Sequence, residues 1–375
     1  MKSVNKGEVT MKGITFGNLH SFRDLHLLLT SKEIGSPAVK VRKIDIEGAD
    51  SALDLTDFFG EPKYEDVTHK FNFSTIVPQA QFLTWFSTVK NALHGKKLRI
   101  ILDDDPLFYY LGRISVSSFT NEKNIGMISI EADCEPYKYK LNETAILQNL
   151  SGKNLFDCAN PQIATAYNTE VTSLSTGVRI TSKSQGQWRF AQFKIAPIKV
   201  LAGRTITLSY NATVSEGAAE RVGLGYFKNP YNPIEITAYS AANSNKVSLA
   251  VDAKYAENYD YVGFWLYSSR DVDGQANSYV DYTNLQIELG STATEYEAYD
   301  SVSKAVTITA VNGRKPTIPT VMTTTGVTIE KDGFAVSVQA GTEYRIPELE
   351  LKEGDNLFAV TGSGLCLVKY QEGDL

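Results

Sequence analysis

Short β-type runs recur along the whole chain, each closed off by Gly, Asn, Asp or Pro, and no feature constrains the fold more. KVRKIDIEG, KLRIILDDD, LFYYLGRISV, GMISIEADC, RTITLSYNATV, RVGLGYF and YVGFWLYSS are rich in Val, Ile, Tyr, Phe and Thr and too short for helices. A mainly β protein is expected. One stretch stands apart: Pro78 at a first-turn position opens QAQFLTWFSTVKNALHG, where Phe82, Phe86, Val89 and Leu93 share a face and Gly95 supplies the stop. This helix should lie across a sheet. With 375 residues and roughly 150 per domain, the chain has room for two or three domains.

Composition excludes several function classes. A net charge of −6 and a pI near 5.4 remove the basic footprint that a nucleic-acid phosphate backbone demands. The N-terminal MKSVNKGEVTMKGITF has no apolar core, so no classical secretion signal is expected, and synthesis in a cytoplasm follows. Val262–Tyr267 is the longest apolar stretch and is far shorter than a membrane span. Cys134, Cys158 and Cys366 are odd in number and widely spaced, without a CxxC, and read as reduced, mostly buried thiols. His20 and His26 lack the spacing of metal ligands, and Asp103, Asp104 and Asp105 read as a hairpin turn before Pro106. No Walker loop, GxSxG or other catalytic signature is present.

Residue usage marks out a middle module. Residues 143–302 contain neither His nor Met yet hold 13 of the 20 tyrosines. Alternation assigns faces to its strands. Val262, Phe264 and Leu266 read as core, with Gly263, Trp265 and Tyr267 opposite; Val222, Leu224 and Tyr226 likewise oppose Gly223, Gly225 and Phe227; Thr205, Thr207 and Ser209 oppose Ile206, Leu208 and Tyr210. Three glycines, small hydroxyls and large rings on the non-core side predict a groove with a low floor and aromatic walls, suited to stacking a sugar. Trp265, Tyr267 and Phe227 form the expected site, with Trp188, Gln187, Tyr231, Arg270 and Asp271 at its rim.

The first segment resembles the distal tail protein family of long-tailed bacteriophages. The resemblance is carried by ITFGNLHSFRDLHLLL at 14–29, KVRKIDIEGADSALDLTDFFGEPKYEDVTHKFNF at 40–73, NALHGKKLRI at 91–100, LDDDPLFYYLGRI at 102–114 and ISIEADCEPYKYK at 128–140. VTITAVNGRKPTIPTVM at 306–322 and LELKEGDNLFAVTGSGLCLVKY at 349–370 resemble that family's C-terminal galectin-like domain. Between them, SGKNLFDCAN and SYVDYTNLQIELGSTATEYEAYD are similar to the edges of jelly-roll carbohydrate-binding modules, as inserted in "evolved" members of the family. The implied layout is an N-terminal β-sandwich with one helix over 1–140, a jelly-roll insert over 148–300, and a galectin-like domain built from 141–147 with 301–375.

The resemblance implies a structural hub at the virion tail tip: a ring of six copies, contacting tail tube and baseplate neighbours. The insert would bind host cell-wall polysaccharide during adsorption. It implies no catalysis and no required cofactor, although Asp281 is a candidate ligand for the structural calcium common in jelly-roll modules. Two other readings are a polysaccharide-degrading enzyme with an appended binding module, for which no paired carboxylates stand out, and a surface adhesin, against which the missing export signal counts.

Overall fold

The computed structural model describes residues 12–375 apart from 59, 123–124, 229–233, 242–243 and 301–303. It is mainly β, and every strand pairing among the described residues is antiparallel. The first region is one eight-stranded sheet. Its order runs Leu19–His20, Ile14–Phe16, Lys97–Leu102, Phe108–Glu122, Ile125–Lys140, Val67–Thr75 and Leu27–Glu33, with Gly373–Asp374 added alongside Ile125–Lys140. In a flat sheet Ile14–Phe16 and Val67–Thr75, four steps apart, would lie about 19 Å from each other. Instead the Phe16 ring meets Phe71 at 6.0 Å and Phe73 at 6.3 Å. The sheet therefore curls until its two ends face each other across a shared core.

The helix fills the open side of that curl. Pro78 precedes a short 3-10 turn, Gln79–Gln81, which leads into Phe82–Leu93; Gly95, at φ 78°, ends it where a residue with a Cβ would be strained. Its buried stripe is Phe82, Trp85, Val89 and Leu93. Trp85, rather than the Phe86 expected from spacing, takes the central place, because its indole N–H donates to the Leu25 carbonyl at 2.7 Å. Phe86 is displaced to the flank, stacked on Phe119 at 5.1 Å.

The acidic trio is a turn, as expected, and it is also a clasp. Asp103 accepts from the Gly13 amide at 2.7 Å and faces His20 Nε2 at 3.0 Å, while Asp104 pairs with Lys32 and Asp105 with Lys138. His20, far from a metal site, uses its Nδ1 to accept the Phe22 and Arg23 amides.

Two further β-sandwiches complete the chain. Thr144–Asn149 joins Leu365–Tyr370, Thr320–Thr323 and Tyr344–Arg345 in one four-stranded sheet. The facing sheet holds Lys304–Asn312, Gly354–Gly362, Val327–Lys331 and Phe334–Val338, and Ile308, Val321, Phe358 and Val368 pack between the two. The chain thus lays down one strand of this sandwich, leaves it, and returns only at Lys304.

The excursion forms the other sandwich, of two five-stranded sheets. One contains Ile163–Tyr167, Arg189–Pro197, Tyr261–Ser269, Arg221–Phe227 and Ile234–Tyr239, in that order; the other contains Thr169–Leu174, Gly177–Ser182, Tyr279–Leu289, Thr205–Val214 and Lys246–Ala250. Val222, Leu224, Tyr226, Val262, Phe264 and Leu266 face inward, as alternation predicts. Thr205–Val214 lies in the second sheet, so Thr205, Thr207 and Ser209 point to the far side of the sandwich and cannot line a groove with Trp265.

Candidate functional site

The outer face of the first of these sheets is closed where a trough was expected. Trp265 is 0% exposed, Tyr267 1% and Phe227 2%, and they pack against Phe190, Ile236, Tyr239 and Tyr261 as a small second core. The glycines make room for the protein's own side chains and backbone, not for a ligand. A Cβ on Gly223 would strike Ile236 Cγ2 at 2.9 Å, one on Gly263 the Phe227 ring at 2.7 Å, and one on Gly225 the Glu235 carbonyl at 2.1 Å. Trp265, Tyr267 and Phe227 thus support the face from within, since a fully covered ring has no surface on which to stack a sugar. Tyr231 lies outside the described residues.

The remaining predicted residues converge at one end of the same sheet. Trp188 is 47% exposed and sits at φ 57°, a left-handed conformation that a bulky residue adopts only when its surroundings impose it. The Arg189 guanidinium supplies that constraint: it donates to the carbonyls of Ser184 (3.1 Å), Gln187 (2.7 Å) and Gln185 (2.6 Å), winding loop 184–188 around one cation. The Gly186 and Gly274 backbones exchange hydrogen bonds at 3.0 and 3.1 Å, which ties this loop to the one carrying Arg270 and Asp271. A third loop joins through the Gln275 amide to Gly217 O (2.9 Å) and the Ala219 amide to Ser268 O (2.9 Å).

On this braced rim Arg270 is the hub. Its guanidinium carbon lies 5.3 Å from the Trp188 ring and 4.1 Å from the Tyr239 ring, and its Nη1 donates to Asp271 at 3.1 Å. Arg221 approaches the same Tyr239 ring at 5.4 Å. Burial, and then the neighbouring Tyr239, push the Tyr267 hydroxyl well above the ordinary tyrosine range despite the opposing pull of Arg270, so it is a neutral donor at every physiological pH. Tyr167, 51% exposed, stacks on Phe190 at 5.6 Å and extends the aromatic tier across the sheet. Gln187 is exposed beside Trp188, and its carbonyl, held by Arg189, is what fixes it.

Sequence reasoning missed Arg221, Tyr239, Phe190 and Tyr167. Arg221 shares parity with Gly223, Gly225 and Phe227 and was legible in that alternation; Tyr239 and Tyr167 reach the tier only through strand pairing opposite Gly223 and Phe190. Asp281 plays a different part from the one expected. Both its oxygens are engaged by Arg179, at 2.6 and 2.8 Å, so calcium would have to displace a bidentate guanidinium. Among the described residues no three His, Cys, Asp or Glu side chains come together as a metal site, and no helix is long and apolar enough to cross a membrane.

Fold and rim together define a modular, mainly β protein that presents a rigid aromatic and arginine surface at one end of its middle sandwich. No family model and no curated protein matches the chain. Among solved structures, the chain is similar to the SPP1 Dit protein, described as a paradigm of the hub adsorption apparatus in phages infecting Gram-positive bacteria. Identity is 8%, coverage is 97% of this chain and 99% of that one, and the TM-score is 0.38. A likeness at that score carries no weight on its own.

Proposed function

We propose that the protein is a non-catalytic structural hub of a bacteriophage tail tip whose middle sandwich binds host cell-wall saccharide during adsorption. The ordered sequence resemblance at both ends of the chain supports the hub role. The observation that carries the binding role is Trp188: an exposed indole, held in an unfavourable backbone conformation by Arg189 and flanked by Arg270. Backbone strain held in place by the surrounding structure clusters at binding sites, and Trp188 carries such strain together with an exposed ring. The ring offers a face to the C–H side of a pyranose, while Arg270, Asp271 and Gln187 lie within reach of its hydroxyls.

Ring formation is proposed to rest on the first region. Val39, Val41, Ile44, Ile46, Leu53 and Phe58 are all exposed on residues 39–58, around the small two-stranded pairing of Lys43–Ile44 with Leu53–Asp54. Such a run of apolar surface fits a second copy of the chain, in a ring of six copies bordered by tail tube and baseplate neighbours. One shallow site would give about millimolar affinity, near −4 kcal/mol, and several sites on one ring would raise avidity by roughly 10² to 10⁴.

Co-sedimentation of the full chain with cell walls of a susceptible host tests the reading. Wild-type protein should pellet with the walls and Trp188→Ala should stay in solution at the same melting temperature. Equal pelleting of the two would overturn it, and release of reducing ends from the walls would replace it with an enzymatic one.

A further inference from the structure

Besides Trp188, the described residues of this sheet and its rim carry one more exposed ring, Tyr167. It ends the edge strand Ile163–Tyr167, and register sets it in a single row across the strands: Tyr167 opposite Phe190, and Phe190 opposite Tyr267. Tyr167 stacks on Phe190 at 5.6 Å with 20° between the ring planes, and Phe190 meets Tyr267 at 5.5 Å. One face of the Tyr167 ring is therefore taken by the protein, and its 51% exposure leaves the other side to solvent.

The two exposed rings are braced by one loop. Asn168, at φ 50°, turns the chain just after Tyr167, and its carbonyl accepts the Lys183 amide at 2.9 Å, while Thr169 Oγ1 donates to the Phe190 carbonyl at 2.9 Å. Loop 184–188 starts from Lys183 and ends on Trp188, so Tyr167 and Trp188 stand at its two ends. They are held apart. Trp188 lies 6.5 Å from the Tyr267 ring and 5.3 Å from Arg270, whose guanidinium reaches Tyr239 on the far edge strand, so it leans away from Tyr167. From Tyr167 to Tyr267 is two strand spacings, about 10 Å, with the half-buried Phe190 between them. A pyranose is about as wide as one such spacing, so a single sugar covers one exposed ring and not both. Lone exposed rings are ordinary on a protein surface; two of them fixed at the ends of one row of packed rings make a path.

From this geometry we infer that the rim takes a linear run of several sugars rather than one terminal sugar: Trp188 and Tyr167 each stack a pyranose, and the chain crosses the strands over Phe190. This rests on the binding role proposed above and adds the length class of its glycan. The second stacking contact is linked to the first, so it strengthens binding through effective concentration.

The test titrates the full chain, by ligand-observed NMR, with size-fractionated fragments of susceptible-host cell walls from monosaccharide to hexasaccharide. Wild-type affinity should rise about tenfold or more from the monosaccharide to the tetrasaccharide fraction and then level off. Tyr167→Ala should bind the tetrasaccharide only as well as wild type binds the monosaccharide, and Trp188→Ala should lose the rise as well. In wild-type protein the tetrasaccharide, and not the monosaccharide at equal concentration, should protect both Trp188 from oxidation and Tyr167 from nitration, which decides the matter even if a variant fails to fold. Affinity that stays flat with length, Tyr167→Ala binding every fraction like wild type, or no binding of any fraction overturns the inference. Flat affinity that still depends on Trp188 leaves the saccharide role standing with a single sugar at the rim; Trp188→Ala pelleting with walls like wild type removes both.

Discussion

Two tryptophans on one sheet show how differently a single residue type can be used. Trp265 is enclosed, and Trp265→Ala should cost about 3–5 kcal/mol by cavity formation, whereas Trp188→Ala should change stability by less than about 0.5 kcal/mol. Urea denaturation of the two variants separates them: equal losses would place Trp188 in the core. Alternation told correctly which residues share a face with Trp265 but could not tell what lies over it, because the cover comes from Ile236, Tyr239 and Phe190 on other strands. Face is local in sequence; coverage is not.

The same scale governs pH behaviour. Asp103 is partly desolvated, which alone would raise its pKa, but hydrogen bonds from His20 and Gly13 outweigh this and hold it below the ordinary carboxylate range. A depressed carboxylate stabilises the fold above its unfolded pKa, and that contribution is lost as pH falls through the folded value. Asp103→Ala should therefore destabilise at neutral pH by about 1–3 kcal/mol, and thermal melts of variant and wild type should converge as pH drops below about 4. A constant gap down to acid pH would show that Asp103 acts through packing. Burial pushes the Cys134 and Cys366 thiols up to about 12, so both should resist alkylation in the native state, while the half-buried Cys158 reacts first.

Among elements, the loops of the rim depend on one another more than on their own sequences. Arg189 holds three carbonyls of loop 184–188, and that loop is in turn pinned to Gly274. Replacing Arg189 with Ala removes the cation without touching Trp188, so hydrogen exchange at residues 184–188 and 274 should quicken while the strand Tyr261–Ser269 keeps its protection. Unchanged exchange would mean the loop is held by its own turns. Strands, the helix and the hairpin at Asp103–Asp105 were legible because period and turn chemistry are local. Trp85 taking the place of Phe86 was not, since it depends on a carbonyl sixty residues away, nor was the assignment of Thr205–Val214 to the opposite sheet, which depends on strand order.

For the whole molecule, the proposed function requires weak contacts to add up to firm adhesion. The exposed apolar residues 39–58 and the aromatic rim belong to different regions of the chain, and the two are joined by the strand Thr144–Asn149 and by a C-terminal tail that pairs Gly373 with Tyr139 and Glu372 with Lys140 at 2.8 Å. If assembly uses the first surface and recognition the second, they can be separated by mutation. Val41→Asp with Ile46→Asp alters exposed positions, so the monomer should keep its melting temperature while light scattering shows the proposed ring reduced to monomers. Monovalent binding to soluble glycan should then stay as it was, and pelleting with whole cell walls should fall by roughly 10² or more, the factor that effective concentration contributes. A variant that remains a ring would show that residues 39–58 do not carry assembly, and one that dissociates yet still grips walls like wild type would show that adhesion does not draw on assembly.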